Sequence, residues 1–374
     1  EMDPPMSFTN YGKRRTGRTS HTFSNELKDR LKYRNQPVQS NNTLAGYIIQ
    51  YLDNFNQSND HQWQQQALAD TARFIKAVNL KRNITNPKWI VFGGSYAGNL
   101  AAWLRLKYPD LVSGAISSSA PIQAIANFTG YYRTVQKSLS QYGSPKCSKN
   151  IASFFHTAKE LIVSEGGRNA LGICPQPLWN NDKDILQFFD DQLSEIGNHV
   201  QDDSLTHIEI NQLCSMYAEL VNQNKTDVTD ADEICVDSSY WQYIESLRDT
   251  APNWFRGWHW QKCTEFGFFQ TIYEDDRPNM FGELTLSLEY SSGTCTDIFG
   301  PEYDLQSVRK AIEQINNFYG GTDKFNATNV IFINGSEDPW RTASSSHCRD
   351  MFRPSSTNFP ALNWAHNDKL EHNY

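Results

Sequence analysis

The chain has 374 residues, of which 39% are hydrophobic and 13% aromatic, and it carries 34 basic against 42 acidic side chains. That length and apolar content suit one large domain with an insertion, or two domains. The net charge of −8 argues against nucleic acid as a partner, and no run of 18 or more apolar residues predicts a membrane span.

The first 65 residues predict a polar N-terminal segment. Its one apolar run is Leu44–Leu52. Its basic cluster is expected to be a solvated arm and not a nucleic-acid site. That cluster consists of Lys13, Arg14, Arg15 and Arg18.

Residues 87–118 predict a β-α-β unit with a serine at its crest. The run at 87–92 is typical of a buried strand, and Asn99–Tyr108 places its large apolar side chains on one helical face. Pro109 ends that helix, and Leu111–Ser118 predicts the next buried strand.

The turn between the first strand and the helix has the pattern of a nucleophile elbow. In Gly93-Gly94-Ser95-Tyr96-Ala97, small neighbours let substrate and backbone approach the serine hydroxyl. The first N–H groups of the helix would then point to the charge that develops on an attacked carbonyl. Ala97 departs from the G-x-S-x-G pattern but is small. An ordinary strand-to-helix turn is the alternative interpretation, because small residues make such turns as well.

Several blocks of the chain resemble the S28 family of serine exopeptidases, and most closely its thymus-specific branch. The blocks that carry the resemblance are Gly93–Pro121, Trp260–Thr271, Cys295–Gly300, Asn334–Trp340 and Ser346–Met351. In addition, Asp53–Gln64 is similar to the family's amino-terminal segment, and Gln66–Ile75 to the helix before the nucleophile strand. The resemblance covers most of residues 50–362.

The resemblance implies a catalytic triad. Ser95 would be the nucleophile, Asp338 the orienting acid and His347 the general base, in the chain order of α/β-hydrolases. The N–H of Tyr96 would be one oxyanion donor. No metal and no cofactor are implied.

Two of these assignments have structural alternatives. Asp338 precedes Pro339 and could simply shape a turn after a strand. His347 is one of nine histidines, most of which are expected on the surface or in polar parts of the core. His366 and His372 lie in a polar tail and are poorer candidates for the base.

The implied fold class is α/β, namely an α/β-hydrolase with a large inserted helical cap. Residues 66–121 and 329–374 would form the core pieces, with a strand at Asn329–Ile333, and residues 122–328 the cap. The inserted segment alternates apolar and polar residues at helical spacing, for example in Ser153–Val163.

The chain departs from the family pattern in three places. Strands and the tyrosine-rich signature expected before the elbow are missing, and with them the loop that would give a second oxyanion donor. His347 lies only 9 positions after Asp338, too close for a helix and a last core strand to fit between them. Residues 1–40 match no part of the family. We hypothesise a truncated, alternatively spliced or misassembled gene product, whose core sheet is incomplete.

The inserted segment contains candidates for substrate binding. A proline ring is a flat apolar wedge, so a pocket lined by Trp258, Trp260 and Trp340 would suit it. Glu265 could pair with a substrate α-amine, which would favour aminopeptidase-type cleavage. Packing of the aromatic side chains between cap and core is the alternative.

Seven cysteines are scattered along the chain with no C-x-x-C pair, so a zinc site is not expected. In a secreted protein they would form up to three disulfides, expected within the insertion, and leave one odd thiol. N-x-S/T acceptor sites and the family favour the secretory or endolysosomal route, although residues 1–10 hold no signal-peptide core.

Two functions from different classes follow. The first is a serine exopeptidase of the S28 type that acts on peptides, proline-directed, as a dipeptidyl peptidase or a carboxypeptidase. The second is a catalytically impaired or non-enzymatic family member that serves as a binding or decoy product. The resemblance allows a homodimer.

Overall fold

The computed structural model describes residues 63–175, 179, 181–203, 207–222, 235, 238–250, 254–273, 279–281 and 284–344, and the backbone of two short strands. All of them lie in the unit that runs from Leu44 to Tyr374.

A parallel five-stranded sheet carries the fold, in the order β1-β2-β3-β6-β7. Its strands are β1 (Ala45–Tyr47), β2 (Trp89–Gly94), β3 (Val112–Ser118), β6 (Val330–Gly335) and β7 (Asn363–Trp364). Two further strands, β4 (Ile125–Asn127) and β5 (Gly267–Phe269), pair in parallel with each other. The predicted strands at 87–92, 111–118 and 329–333 are thereby confirmed, and the coarse prediction of an α/β fold is confirmed with them.

Eleven helices accompany the strands in the described part of the chain. They are α1 (Trp63–Lys81), α2 (Ser95–Lys107), α3 (Gly130–Tyr142), α4 (Cys147–Leu161), α5 (Glu165–Ala170), α6 (Asn181–Gln201), α7 (Ile208–Asn222), α8 (Tyr240–Arg248), α9 (Trp254–Gln261), α10 (Leu288–Phe299) and α11 (Leu305–Tyr319). A π-helical turn (Lys262–Phe266) follows α9, and a 3₁₀ turn (Pro339–Ala343) follows β6. None of the helices described here has the length and apolar character needed to cross a bilayer.

The register of the sheet brings three strand ends to one edge. Gly94 at the end of β2 pairs with Ser118 at the end of β3, and Ser118 pairs with Ile333 of β6. Because the strands are parallel, their carboxyl ends meet along this edge, where ligands bind in open α/β sheets. The residues that follow β2, β3 and β6 are therefore neighbours in space.

The two faces of β2 differ in burial. Trp89 and Val91 are 3% and 2% exposed and pack into the core beside α2, whose residues from Tyr96 to Leu104 are all buried. Ile90 and Phe92 on the opposite face are 38% and 39% exposed. Parallel sheets are normally covered on both faces. In the described part of the chain, β2 is therefore covered on one face only.

The segment between β3 and β6 holds nine of the described helices and all three disulfides found in the described residues. The pairs are Cys147–Cys214, Cys174–Cys235 and Cys263–Cys295. The prediction of three disulfides within the insertion is confirmed. The seventh cysteine, Cys348, lies outside the described residues.

Candidate active site

Ser95 sits at the junction of β2 and α2 in a strained conformation. Its φ is +54°, in the left-handed region that a non-glycine residue rarely adopts. Its side chain is exposed, while the next residue, Tyr96, is 5% exposed. Strain of this kind persists only where the surroundings fix the backbone. The predicted nucleophile elbow therefore has the geometry that its sequence pattern implied.

Two glycines allow the turn to close. A Cβ on Gly93 would lie 2.0 Å from the carbonyl oxygen of Ala97, and a Cβ on Gly98 would lie 2.8 Å from the Cβ of Ala120. Gly94, by contrast, has open space at the corresponding position. The close contacts in this turn thus fall on Gly93 and on Gly98, the residue after Ala97. The helix consequently begins at Ser95 and not at Asn99, where periodicity alone placed its first residue.

The lack of space at Gly93 predicts that a side chain there destabilises the fold. We expect Gly93→Ala to lower the free energy of unfolding by about 3 kcal/mol or more, because the new methyl group meets backbone that cannot rotate away. Urea titration followed by circular dichroism measures the change. Gly94→Ala is the matched control and should cost less than about 1 kcal/mol. Equal losses in the two variants would contradict this account of the turn.

The amino terminus of α2 presents N–H groups next to Ser95. The first four N–H groups of a helix have no intrahelical partner. The N-cap residue here is Gly94, which offers no side-chain acceptor. The positive end of the helix dipole is therefore open beside the serine hydroxyl, which favours an anion at that point. This geometry suits the Tyr96 N–H as an oxyanion donor.

Two buried polar contacts tie the elbow helix to the strand beside it. The Asn99 side-chain amide donates to the carbonyl of Pro121 at 2.9 Å, and the Ser117 hydroxyl donates to the carbonyl of Gly98 at 2.9 Å. Asn99 and Ser117 are both fully buried. Sequence analysis did not single out either residue, because partners 19 and 22 positions apart leave no local signal.

Asp338 follows β6 and has two differently placed carboxylate oxygens. Oδ1 accepts a hydrogen bond of 2.9 Å from the Trp340 N–H and so caps the 3₁₀ turn. Oδ2 is buried and takes no part in the cap. Burial raises the pKa of this carboxyl, while the Trp340 N–H, the Ser119 hydroxyl and Arg341 partly offset the rise. Asp338 therefore shapes the turn through one oxygen, and its second, buried oxygen stands outside the cap.

The structure brings Ser95, Asp338 and Ser119 to the same edge of the sheet. Ser119 follows β3 directly, has a φ of +49°, and donates its N–H to the Ile333 carbonyl at 2.7 Å. The strands that carry Ser95 and Asp338 are separated by β3, which puts their axes about 10 Å apart at normal strand spacing. An imidazole can bridge such a gap. The predicted base, His347, lies outside the described residues.

The aromatic side chains predicted to line a pocket fall into two groups. Trp258 and Trp340 both contact Phe268, with ring centroids 6.4 and 5.4 Å apart. Trp260 instead packs on Phe299 and Tyr303, at 5.0 Å from each ring. Residues two apart on a helix point to nearly opposite sides, so α9 cannot present both Trp258 and Trp260 to one side of a pocket. Of the three tryptophans predicted to line the pocket, Trp258 and Trp340 therefore share a contact with Phe268, and Trp260 does not.

Glu265 lies in the π-helical turn and is 1% exposed. Its carboxyl group raises the pKa of two buried phenols, Tyr96 and Tyr319, in each case as a smaller contribution than burial itself. It therefore lies beneath the elbow helix in the core. A substrate amine would have to enter this core to reach it. Within the described ranges, no group of three His, Cys, Asp or Glu side chains is arranged to hold a metal ion.

Comparison with known proteins identifies the family. The profile described as Serine carboxypeptidase S28 matches residues 51–368, which is most of the chain. The chain belongs to this family. Two similar proteins are the thymus-specific serine protease of Mus musculus (31% identical over 338 residues) and the lysosomal Pro-X carboxypeptidase of Homo sapiens (30% over 301 residues). The resemblance inferred from the motif blocks is confirmed.

The chain matches only part of each of these relatives. The matches cover 78% and 74% of this chain but only 65% and 58% of the two relatives, so the chain spans less than two thirds of their length. The 338 aligned positions also exceed 78% of 374 residues, so the alignment contains positions that this chain lacks. This agrees with the predicted internal departures.

A charged pair in the insertion was missed by sequence analysis. Burial raises the pKa of Asp190 on α6 to about 6, and it lowers the pKa of Lys262 to about 8, each against the attraction of the other charge. The Lys262 ammonium lies 5.0 Å above the ring of Phe269. Neither residue belongs to a recognisable motif, and 72 positions separate them, so only the fold brings them together.

The pair predicts a pH dependence of stability. Because the folded pKa of Asp190 is raised, its protonated form stabilises the fold at low pH, and that contribution is lost as the pH rises through about 6. We expect Asp190→Asn to remove this fall in the free energy of unfolding, measured by urea titration from pH 4 to 7. Lys262→Met should move the fall to higher pH, because Asp190 then loses its counter-charge. Identical profiles in all three proteins would contradict the assignment.

Proposed function

We propose that this S28 family member is a serine exopeptidase that hydrolyses peptide bonds by acyl transfer. The observation that carries the proposal is the backbone of Ser95, which is held in the left-handed region at the uncapped amino terminus of α2. Such strain favours a functional origin over an ordinary turn. That the complete protein has this peptidase activity is likewise proposed.

The mechanism follows from the chemistry of the proposed triad. His347 takes the hydroxyl proton of Ser95 as the oxygen attacks the peptide carbonyl, and the Tyr96 N–H stabilises the resulting oxyanion. The imidazolium then gives its proton to the leaving amine, and water hydrolyses the acyl-enzyme. Asp338 would use Oδ2, the oxygen that does not cap the turn, to hold the imidazole tautomer and offset its charge.

Preference for proline is the proposed specificity. The half-buried rings of Trp258 and Trp340, joined by Phe268, offer apolar surface to a flat pyrrolidine ring. One relative bears the name lysosomal Pro-X carboxypeptidase. Trp260 and Glu265 remain part of the proposed pocket, with Glu265 as the partner of a substrate α-amine. This part of the proposal has less support, because Trp260 packs on Phe299 and Tyr303 and Glu265 is buried in the core.

Residues 122–328 are proposed as the helical cap of an α/β-hydrolase core formed by residues 66–121 and 329–374. The cap would supply Phe268 and Trp258, and the core Ser95 and Trp340.

We also propose passage through the secretory or lysosomal route. Three disulfides form in oxidising compartments. The acceptor asparagines Asn83 and Asn326 are exposed, whereas Asn334 is 8% exposed and unsuited to a glycan.

A non-catalytic family member is the second candidate function. The exposed apolar side chains Ile90 and Phe92 on β2 favour it, because an enzyme core would normally cover both faces of this strand. Such a product could bind peptides through the aromatic group without cleaving them.

Peptide cleavage decides between the two functions. Purified protein is incubated with peptides that carry proline at the second or the penultimate position, and products are identified by mass spectrometry. Release of an amino-terminal dipeptide or a carboxy-terminal residue supports the exopeptidase and fixes its direction. Intact peptides in the presence of folded protein support the binding product.

The identity of the base needs its own variants. His347→Ala should abolish cleavage, whereas the matched control His366→Ala should retain it. His366 is the informative control because it stands two residues after β7, the last strand of the sheet. The opposite pattern would transfer the role of general base to His366.

A further inference from the structure

The side chain of Tyr96 packs against the inserted segment. Its ring lies 6.0 Å from that of Trp258 and 5.5 Å from that of Phe266, and its hydroxyl accepts a hydrogen bond of 3.0 Å from the Gln261 side-chain amide. All three partners come from α9 and the π-helical turn. Tyr96, Gln261 and Phe266 are 5%, 5% and 0% exposed.

This contact joins two distant parts of the chain next to Ser95, whose backbone is in the left-handed region. Tyr96 is the residue after Ser95, so its Cα and N–H share a peptide unit with the proposed nucleophile. Burial and the nearby Glu265 carboxyl raise the pKa of Tyr96, which keeps the phenol neutral. A neutral, hydrogen-bonded phenol in a packed slot has one position, and the peptide attached to it is fixed with it.

We propose that Gln261 and Tyr96 are positioning residues. The hydrogen bond between the Gln261 amide and the Tyr96 hydroxyl lets the insertion fix the peptide unit between Ser95 and Tyr96. The proposal rests on the proposed function for its catalytic meaning. Without this contact, the elbow would relax towards unstrained backbone, and the Tyr96 N–H would move from the place where an oxyanion forms. Small displacements of this kind cost about 10- to 100-fold in rate.

Two variants test the contact without removing its ring packing. Tyr96→Phe deletes the hydroxyl, and Gln261→Met deletes the donor at similar volume. Tyr319→Phe is the matched control, since it removes an equally buried phenol that stacks on Trp103, two turns further along α2. Each variant is also made in a Ser95→Ala background, so that the structural readout does not depend on activity.

The structural readout is hydrogen exchange at the amides of residues 99–101, which bond to the carbonyls of residues 95–97 in the first turn of α2. The catalytic readout is the rate of labelling by a fluorophosphonate probe. We expect exchange about 10-fold faster, and labelling about 10- to 100-fold slower, in both variants and not in Tyr319→Phe. The double variant should lose no more than the larger single loss.

The outcomes separate this inference from the proposed function. Exchange as slow as in the unmodified chain overturns the positioning role, whatever the labelling rate. Faster exchange in a protein that never labels supports the positioning role and removes the peptidase proposal instead.

Discussion

Replacing Ser95 with glycine is expected to abolish probe labelling and peptide cleavage while raising the free energy of unfolding by about 1 kcal/mol. Serine at a φ of +54° carries left-handed strain, and glycine occupies that region without penalty. A residue whose replacement stabilises the fold and destroys activity is retained for its chemistry.

Ser95→Ala is the control for this prediction. Alanine also lacks the nucleophile but keeps the Cβ, so it should abolish activity with no gain in stability. Urea titrations of the three proteins at one pH measure the difference. Equal stability of the glycine and alanine variants would contradict the strain at the elbow.

Asp338→Asn separates the two roles of this side chain. Asparagine caps a helical turn as well as aspartate does, so the hydrogen bond from the Trp340 N–H should survive and stability should change by less than about 1 kcal/mol. Activity should nevertheless fall about 10⁴-fold, because an amide cannot hold the imidazole in the productive tautomer or offset its charge.

Asp304→Asn is the matched control for Asp338→Asn. Asp304 caps α11 by accepting a hydrogen bond of 2.8 Å from the Ser307 N–H, and it is exposed. It should leave kcat/KM unchanged. If kcat/KM fell less than about tenfold in Asp338→Asn, the result would show that Asp338 only shapes the turn and would contradict its role in the triad.

Local sequence patterns predicted the parts of this molecule that local physics decides. The strands at 87–92 and 111–118 are apolar runs bounded by breakers, and the turn at Ser95 carries its own small residues. The helix after the turn was predicted to begin late, at Asn99. Periodicity cannot detect a first turn made of glycine, serine and alanine, whereas the packing of Gly98 on Ala120 fixes it.

The remaining features depend on contacts between distant residues. The spacing of the cysteines did not reveal their pairing. Tyr96 was assigned through its N–H alone, and its partner Gln261 stands 165 positions away. Of the three tryptophans predicted to line one pocket, two lie together, because Trp258 and Trp260 point in opposite directions from α9. The fold decides such pairings, and the sequence carries no local trace of them.

Labelling of the full chain with a fluorophosphonate probe tests the central claim, an activated serine at the elbow, most directly. The modified residue is located by peptide mass spectrometry, and heat-denatured protein serves as the blank. We expect one label per chain, on Ser95, in native protein only. A chain that unfolds cooperatively and yet takes up no label at Ser95 would contradict the account.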